Sequence, residues 1–447
     1  MTHFLHRKLD SNLPIAARGE GCYIFDTTGK RYLDASGGAA VACLGHSHPA
    51  VIEAVIQQIK TLPSAHTSFF TTEPSEALAD YLVSRAPEGI SRFLTVSDGS
   101  VAVETALKLA RQYWIERGKP ERKMIISRRQ SYHGNTLGAL SVGGNERRRA
   151  PYSPLLSDCV TFIDPCFEYR FKHDGESSEE YGLRAANLLE MEILALGPDN
   201  VGAFIAETVV GATTGCVAAA PGYFKRIREI CDKYEVLLIL DEIMSGMGRT
   251  GTLFACEQEG ITPDIATVAK GLGGGYQPIG GVFASKKVMD ALEAGSNALA
   301  NGHTYMGHSV ACAAALAVQK VIEQDGLLDR VQTLGKQFEQ KLISRFGDHP
   351  HVGDIRGRGF FWALELVADR NTKETFEPKQ KLNELIKTEA QDRGMACYPS
   401  GGTADGVRGD HILFAPPYII TESQLDDIVD ITAESLNAAL SAINKKA

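Results

Sequence analysis

Short apolar runs and amphipathic segments alternate along the middle of the chain. Apolar residues recur at a spacing near 3.6 from Pro74 to Ala86 and from Val101 to Trp114, which predicts two helices. Short, mainly apolar runs, typical of buried strands, occupy residues 92–96, 123–126, 203–206 and 236–240. This alternation predicts an α/β fold, with a mostly parallel sheet, helices on both faces and a ligand site at the carboxyl ends of the strands.

The two ends of the chain follow other patterns. Residues 21–34 alternate apolar and polar positions on both sides of Thr28-Gly29, which predicts a hairpin. After Gly326 the spacing predicts a long amphipathic helix from Leu327 to Phe346 and, beyond a stretch of mixed strand and helix, a last helix from Glu422 to Ile443.

A chain of 447 residues exceeds the size of one ordinary core, so we expect two domains with a cleft between them. The interpretation is a large domain over residues 66–325 and a small α+β domain over residues 326–447, to which the N-terminal segment 1–65 also belongs. The stretch 165–181 is charged and aromatic without a clear period, and it is expected to be a surface excursion.

Composition and charge narrow the class of protein. Hydrophobic residues make up 44% and charged residues 23%, as in a soluble globular protein, and the net charge of -9 argues against nucleic acid as a main partner. We find neither the apolar core of a secretory signal nor a membrane span, so a cytoplasmic protein is expected. The nine cysteines include no Cys-x-x-Cys pair, and His46 and His48 lack a third ligand with suitable spacing, so no metal site is predicted.

Lys270 and Asp241 are the strongest candidates for chemistry. Asp241 follows the apolar run 236–240, and Lys270 lies 29 positions later, just before a run of glycines. An amine and a carboxylate at the ends of neighbouring strands fit pyridoxal phosphate chemistry, in which the lysine holds an aldehyde as a Schiff base and the acid keeps the pyridine nitrogen protonated. A lysine in a glycine-rich loop is otherwise simply solvated, so this interpretation depends on the residues around it.

Asp98-Gly99-Ser100 is a candidate phosphate site. It follows a predicted strand and precedes the helix over 101–114, and backbone amides at a helix N-terminus bind anions. Gly99 allows close approach, and Ser100 adds a hydroxyl. The alternative is an ordinary helix cap formed by Asp98 or Ser100, and the two roles are compatible.

Two more segments offer groups to a planar ligand. In Ser131-Tyr132-His133-Gly134, which follows another strand, the tyrosine ring can stack on a heterocycle; a tyrosine of the core is the alternative. The loop 301–307 offers the Thr304 hydroxyl, and an ordinary turn is the alternative there.

Taken together and in this order, the motifs resemble the class III aminotransferases of fold type I. The likeness runs from about residue 20 to the end and rests on the segments 29–34, 45–49, 98–100, 132–134, 241–251, 270, 303–305 and 415–417. It implies a large domain with a mostly parallel seven-stranded sheet, a small α+β domain and a homodimer with shared sites.

The same resemblance implies a role for each residue. Lys270 would carry pyridoxal 5'-phosphate as a Schiff base and later move the substrate proton, and Asp241 would pair with the ring nitrogen. The other predicted cofactor contacts are Tyr132 and Ile243 on the ring faces, Gly99 and Ser100 at the phosphate, His133 and Glu207 beside them, and Thr304 of the neighbouring subunit. Tyr132 is also expected to contact the substrate, and ping-pong kinetics are expected.

Three positions depart from relatives that use 4-aminobutyrate or ornithine with 2-oxoglutarate. Asn135 stands where those enzymes carry an arginine, and Leu413 and Ala212 replace a gate arginine and its glutamate partner. Loss of the whole pair keeps the pocket neutral, whereas one unpaired buried charge costs roughly 3–5 kcal/mol. We therefore expect an ω-amino acid or amine as donor and an oxo acid such as pyruvate as acceptor.

The acceptor still has a carboxylate that needs a cation. Arg408, on a glycine-flanked loop, is the candidate, and a surface pair with Asp405 or Asp410 is the alternative. Other reactions on the same scaffold stay open, namely those of a decarboxylase, racemase or aminomutase. Val101 is shared with diaminopelargonate-forming aminotransferases, but Tyr398 replaces an arginine that those enzymes use, so that activity is a minor option.

Overall fold

The structure, a computed structural model, describes residues 3–9 and 13–445. Its strands are β1 Ala16–Glu20, β2 Tyr23–Asp26, β3 Arg31–Asp34, β4 Ile90–Val96, β5 Met124–Arg128, β6 Val160–Ile163, β7 Val201–Glu207, β8 Val209–Val210, β9 Val217–Ala218, β10 Leu237–Asp241, β11 Ile265–Val268, β12 Gly280–Ser285, β13 Val352–Arg358, β14 Phe361–Leu366, β15 Met395–Ala396, β16 Tyr398–Gly401 and β17 Asp410–Phe414. Its helices are α1 Gly37–Ala40, α2 Pro49–Thr61, α3 Glu73–Val83, α4 Gly99–Glu116, α5 Leu137–Val142, α6 Glu146–Arg149, α7 Glu168–Phe171, α8 Ser178–Leu196, α9 Tyr223–Lys233, α10 Lys286–Ala294, α11 Ser309–Gln324, α12 Leu327–Phe346, α13 Leu382–Asp392 and α14 Glu422–Asn444.

Seven strands form the central sheet, in the order β4-β12-β11-β10-β7-β5-β6. Of these strands, β12 alone runs antiparallel to its neighbours. The predicted mostly parallel seven-stranded sheet is therefore confirmed. Because six strands end at one edge, the residues that follow β4, β5, β7, β10 and β11 meet there.

The central strands are buried on both faces, which explains their continuous apolar runs. Every residue of β7 and β10 is buried. Side chains alternate between the faces, so that Ile205 and Ile239 pack with α4, whereas Phe204 and Leu238 pack with α8 and α9. Trp114 ties α4 to the sheet, because its indole N–H donates to Gly202 O at 2.8 Å.

The two ends of the chain share one core. β1, β2 and β3 form an antiparallel unit that β15 extends by pairing in parallel with β3, and β13, β14, β17 and β16 form an antiparallel sheet. The core contains Leu33 and Leu44 from the N-terminal part and Phe338 and Leu436 from the C-terminal part. This packing supports the expected association of segments 1–65 and 326–447, while the exact domain boundaries stay predictions.

Several predicted elements are confirmed at residue level. The helix α12 spans Leu327–Phe346 as predicted, and β2 and β3 form the hairpin around Thr28-Gly29. The surface excursion predicted over residues 165–181 is observed only in part: residues 171–180 are exposed or half-buried, whereas Phe167 and Tyr181 are buried. One charged residue of this stretch, Arg170, belongs to a buried ion pair.

That ion pair joins α7 to β14. Arg170 Nε donates to Oε1 of the fully buried Glu365 at 2.7 Å, and Arg356 of β13 donates to the other carboxylate oxygen at 2.5 Å. A buried carboxylate with two guanidinium partners satisfies its charge inside the protein.

Two further properties concern residues 3–9 and 13–445. None of their helices combines the length and apolar character needed to cross a bilayer. No group of three or more His, Cys, Asp or Glu side chains among them is arranged to hold a metal ion. His46, considered above as a possible ligand, lies 3.2 Å from Asp34 Oδ2 through its Nε2.

Candidate active site

A cavity of about 480 Å³ opens at the carboxyl edge of the central sheet. Eight predicted site residues line it: Gly99, Ser100, Tyr132, His133, Glu207, Asp241, Ile243 and Lys270. They come from the start of α4, the turn after β5 and the ends of β7, β10 and β11. Four of them, His133, Glu207, Asp241 and Lys270, form what we call the cavity floor.

Asp241 is held in one orientation at the cavity floor. It ends β10 beside Glu207 of β7 and Thr267 of β11. Its Oδ1 accepts the Ile243 amide at 3.0 Å, and its Oδ2 lies 2.8 Å from His133 Nδ1. Both side chains are buried, so each provides the hydrogen bond that the other needs. His133 therefore positions the carboxylate.

Glu207 fixes the turn that carries Tyr132. Its Oε1 accepts the Tyr132 amide and its Oε2 accepts the Gly211 amide, both at 3.0 Å. Burial raises the pKa of the Glu207 carboxyl, and the charge of Asp241 adds to the rise. Glu207 thus fixes the backbone at Tyr132, after β5, and at Gly211, after β8.

Lys270 lies two residues beyond β11, in a strained backbone conformation. Its φ is 46°, in the left-handed region that favours glycine. Burial lowers the pKa of its amine to about 8, and the charge of the buried Arg249 also lowers it. The charges of Asp241 and Glu207 act in the opposite direction and raise this pKa, but they do not outweigh burial. A lower pKa leaves more neutral amine near pH 7, which suits a nucleophile and proton carrier.

The start of α4 shows the helix cap that was the alternative to a phosphate site. Asp98 Oδ1 accepts the amides of Ser100 at 2.7 Å and Val101 at 3.1 Å. A Cβ at Gly99 would lie 3.0 Å from a methyl of Ile243, so glycine permits this close approach. Ser100 Oγ accepts the amide of Asn135 at 3.1 Å, and its own proton remains a possible donor to an anion in the cavity.

One side of the cavity is apolar, and the residues that line it there belong to a cluster that also contains, behind the lining, the two positions where a charged pair was expected to be missing. Ala212 and Leu413 belong to one buried hydrophobic cluster with Val209 and Met244, and the last two also line the cavity. We call Val209, Ala212, Met244 and Leu413 the apolar wall. The structure therefore places the two substituted positions, 201 residues apart in sequence, in the same cluster.

Two predicted site residues do not line the cavity. Thr304 is exposed on the loop between α10 and α11. Arg408 is also exposed, and its Nε donates to Asp405 Oδ2 at 2.7 Å, which is the surface pair considered as the alternative. Asn135, at the position of the expected arginine, lies outside the lining as well.

The sequence did not assign several residues that shape the cavity. Val41, Val209, Met244 and Gln277 line it, and Arg249 acts on Lys270 through its charge. Met244 and Arg249 stand within the 241–251 motif, which was a signal for them. Val41, Val209 and Gln277 carry no chemical signature in the sequence, because aliphatic and amide side chains are common everywhere.

Comparison with known proteins identifies the family. Residues 5–436 match the model of the family described as aminotransferase class-III. An uncharacterized aminotransferase of Schizosaccharomyces pombe is 49% identical over 96% of this chain and 94% of its own length. A putrescine–pyruvate aminotransferase of Pseudomonas aeruginosa is 34% identical over 96% of this chain and 91% of its own length.

A solved structure has the same fold. The omega transaminase of Pseudomonas jessenii in complex with PMP superposes with a TM-score of 0.91 at 34% identity, over 99% of this chain and 97% of that one. Together with the arrangement of the cavity floor, these likenesses show that the chain is an enzyme of the class III aminotransferase family, with the α/β architecture of fold type I.

Proposed function

We propose that the protein transfers the amino group of an ω-amino acid or amine to an oxo acid such as pyruvate, with ping-pong kinetics. The observation that carries the proposal is the combination of a charged cavity floor with an apolar wall. The floor suits amino-group transfer, and the wall lacks the charged pair expected for 2-oxoglutarate enzymes.

The residues present fit pyridoxal phosphate, on which the family depends. Lys270 offers an amine of lowered pKa, Asp241 offers a buried carboxyl group, and Tyr132 and Ile243 offer surfaces for a planar ring. Gly99 and Ser100 offer a helix start for the phosphate, although Asp98 now caps it. When bound, the cofactor supplies an aldehyde that takes up the amino group and a ring that withdraws electrons from the substrate C–H bond.

The remaining chemistry belongs to the chain. Asp241, oriented by His133, offers its carboxyl group as the partner of the ring nitrogen of the bound cofactor. Lys270 Nζ would take the proton from the substrate carbon and deliver it to the aldehyde-derived carbon of the cofactor, and burial lowers the pKa of its amine to about 8, which suits a group that accepts a proton and gives it up again. Glu207 holds Tyr132 over the floor through the backbone.

The choice of substrate is supported by the apolar wall. Leu413 and Ala212 leave no charge there to bind a second carboxylate, so a donor with an aliphatic chain fits this side of the cavity. The Pseudomonas aeruginosa relative is named for putrescine and pyruvate, a pairing of this type. Arg408 stays the predicted partner of the acceptor carboxylate, and it would first have to leave Asp405.

A homodimer is part of the proposal. Exposed apolar residues lie along α2 at the helical spacing of Ile52, Ile56 and Ile59, and Phe69 and Phe70 nearby are 78% and 67% exposed. Such side chains are typical of an interface. In a dimer, Thr304 would reach the phosphate of the neighbouring subunit. The cytoplasmic location also stays a prediction.

Two half-reactions test the proposal. Holoenzyme is mixed with an aliphatic amine and its absorbance is followed in a stopped-flow instrument; the amine is expected to bleach the cofactor band and pyruvate to restore it. Parallel lines in double-reciprocal plots are expected with both substrates. Release of carbon dioxide, or turnover without any oxo acid, would instead assign the chain to a decarboxylase or isomerase reaction.

A further inference from the structure

Arg148 is a cation beside the cavity with no acidic partner in residues 3–9 and 13–445. Its guanidinium carbon lies 4.6 Å from the centroid of the Tyr132 ring, and Tyr132 lines the cavity. Its side chain is exposed, and within the described residues it donates hydrogen bonds through its backbone amide alone. The guanidinium donors thus remain free beside the ring that covers the floor.

The position of Arg148 is set by the start of α6. Asn145 caps this helix by accepting the Arg148 amide at 3.3 Å, and its Nδ2 donates to Gln130 Oε1 at 3.2 Å. Gln130 is buried and donates to Gly402 O at 3.0 Å. A helix anchored in this way holds Arg148 against Tyr132 without using its guanidinium.

The neighbouring arginines have other surroundings. Arg149 Nη1 donates to the carbonyl oxygens of Leu140 at 3.1 Å and Gly143 at 3.0 Å, so it stabilises the end of α5. Arg147 is exposed, and its charge acts on Glu384, whose pKa is lowered mainly by a hydrogen bond from Lys8. Of the three consecutive arginines, Arg148 is the one recorded over the Tyr132 ring.

The environment of Tyr132 is cationic on this side. Burial raises the pKa of the Tyr132 hydroxyl, while the charges of Arg148 and Arg7 act against the rise. Arg408 differs, because Asp405 already neutralises it. Arg148 does not itself line the cavity, but it lies over the ring of Tyr132, which does, so an anion bound beside that ring lies near a guanidinium with no acidic partner among the described residues.

We propose that Arg148 binds a substrate carboxylate at the end remote from the carbon that exchanges the amino group. The inference rests on the proposed function, which places that carbon at Lys270 on the floor. A guanidinium binds a carboxylate through two parallel hydrogen bonds, and its position over the Tyr132 ring, 4.6 Å from the centroid, keeps the guanidinium of Arg148 beside the cavity residue. The preferred donors are then straight-chain ω-amino acids, whose methylene groups fit the apolar wall.

Matched donors test this role. The amine half-reaction of the holoenzyme is measured with 6-aminohexanoate and with hexylamine, which lacks only the carboxylate. In Arg148→Gln the apparent affinity for 6-aminohexanoate is expected to fall about ten- to a hundredfold, the range for hydrogen bonds to charged groups. Hexylamine is expected to react as before, and the limiting rate with either donor to change little. Arg148→Lys should recover part of the loss, and Arg147→Gln is the matched control.

A second measurement is independent of turnover. Hexanoate, which has no amine, is titrated into the holoenzyme in a calorimeter, and Arg148→Gln is expected to weaken its binding by a similar factor. Equal losses for both donors, or unchanged hexanoate binding, would overturn the inference. So would a loss of the carboxylate preference in Arg408→Gln alone, which would assign the carboxylate to Arg408. If the wild-type protein reacts with hexylamine and shows no preference for 6-aminohexanoate, the inference about Arg148 fails while the proposed function stands. If it reacts with neither of these two donors, the proposed function itself is contradicted.

Discussion

The cavity floor and the apolar wall are both buried, but the floor contains polar side chains that need hydrogen-bond partners and the wall contains none. On the floor, Asp241 and Glu207 keep their carboxylates inside the protein because backbone amides and His133 hydrogen-bond to them. On the wall, Leu413 and Ala212 leave no charge to satisfy. Under the proposed function these two regions have separate tasks: the polar residues of the floor would perform a reaction common to many substrates, and the wall would discriminate between particular substrates.

The largest expected effect comes from removing the amine of the floor. Lys270→Ala should lower the rate of the amine half-reaction by about 10³- to 10⁴-fold, since the variant loses its proton carrier. The measurement is stopped-flow absorbance after reloading with cofactor, and added methylamine is expected to restore part of the rate. Lys286→Ala, at an exposed lysine of α10, is the control. A rate within tenfold of wild type would show that Lys270 does not move the proton.

The wall is tested by adding charge. Leu413→Arg buries an unpaired cation and should lower the free energy of unfolding by roughly 3–5 kcal/mol, and Ala212→Glu alone should also destabilise. The double variant is expected to recover much of the loss, because the two positions share one cluster. Urea unfolding of the cofactor-free proteins measures all three. Strictly additive losses would mean that the two side chains do not interact.

The smallest effect concerns the pKa of the floor lysine. Cofactor uptake by the cofactor-free protein requires neutral amine, so its rate should rise with pH and level off above about 8, where burial has placed the pKa of Lys270. The rate rises with pH because deprotonation of Lys270 produces the neutral amine, and the lowered pKa shifts this rise to lower pH. A peptide with an exposed lysine serves as the reference. Its rate of reaction with the same aldehyde should level off only near the usual lysine pKa of about 10.4. A protein profile that keeps rising through pH 10 would contradict the assignment.

The sequence predicted the elements whose pattern is local and strong. The helix α12 has an uninterrupted amphipathic period, and β10 is buried on both faces, so both were found within a residue of their observed ends. Asp241 became a candidate because it directly follows a clear apolar run, and Lys270 because it precedes a run of glycines 29 positions later; the family resemblance then gave both a predicted role. The joint placement of Ala212 and Leu413 came from family resemblance, and their common cluster agrees with it.

Other features depend on contacts between distant parts of the chain. The burial of Phe167 and Tyr181 accompanies the pairing of Arg170 with Glu365, 195 positions away, which no local period reveals. The stacking of Arg148 on Tyr132 likewise depends on how Asn145 anchors α6 to Gln130. Whether a charged residue is solvated or paired inside the protein therefore cannot be inferred from the sequence until its partner is located.

The cap formed by Asp98 has a consequence for how the enzyme gains and loses its cofactor. The first turn of α4 already holds a tethered anion, since the carboxylate accepts the amides of Ser100 and Val101. If the cofactor phosphate binds these amides as predicted, it has to compete with a carboxylate of the same chain, and its uptake is then an exchange of one negative group for another.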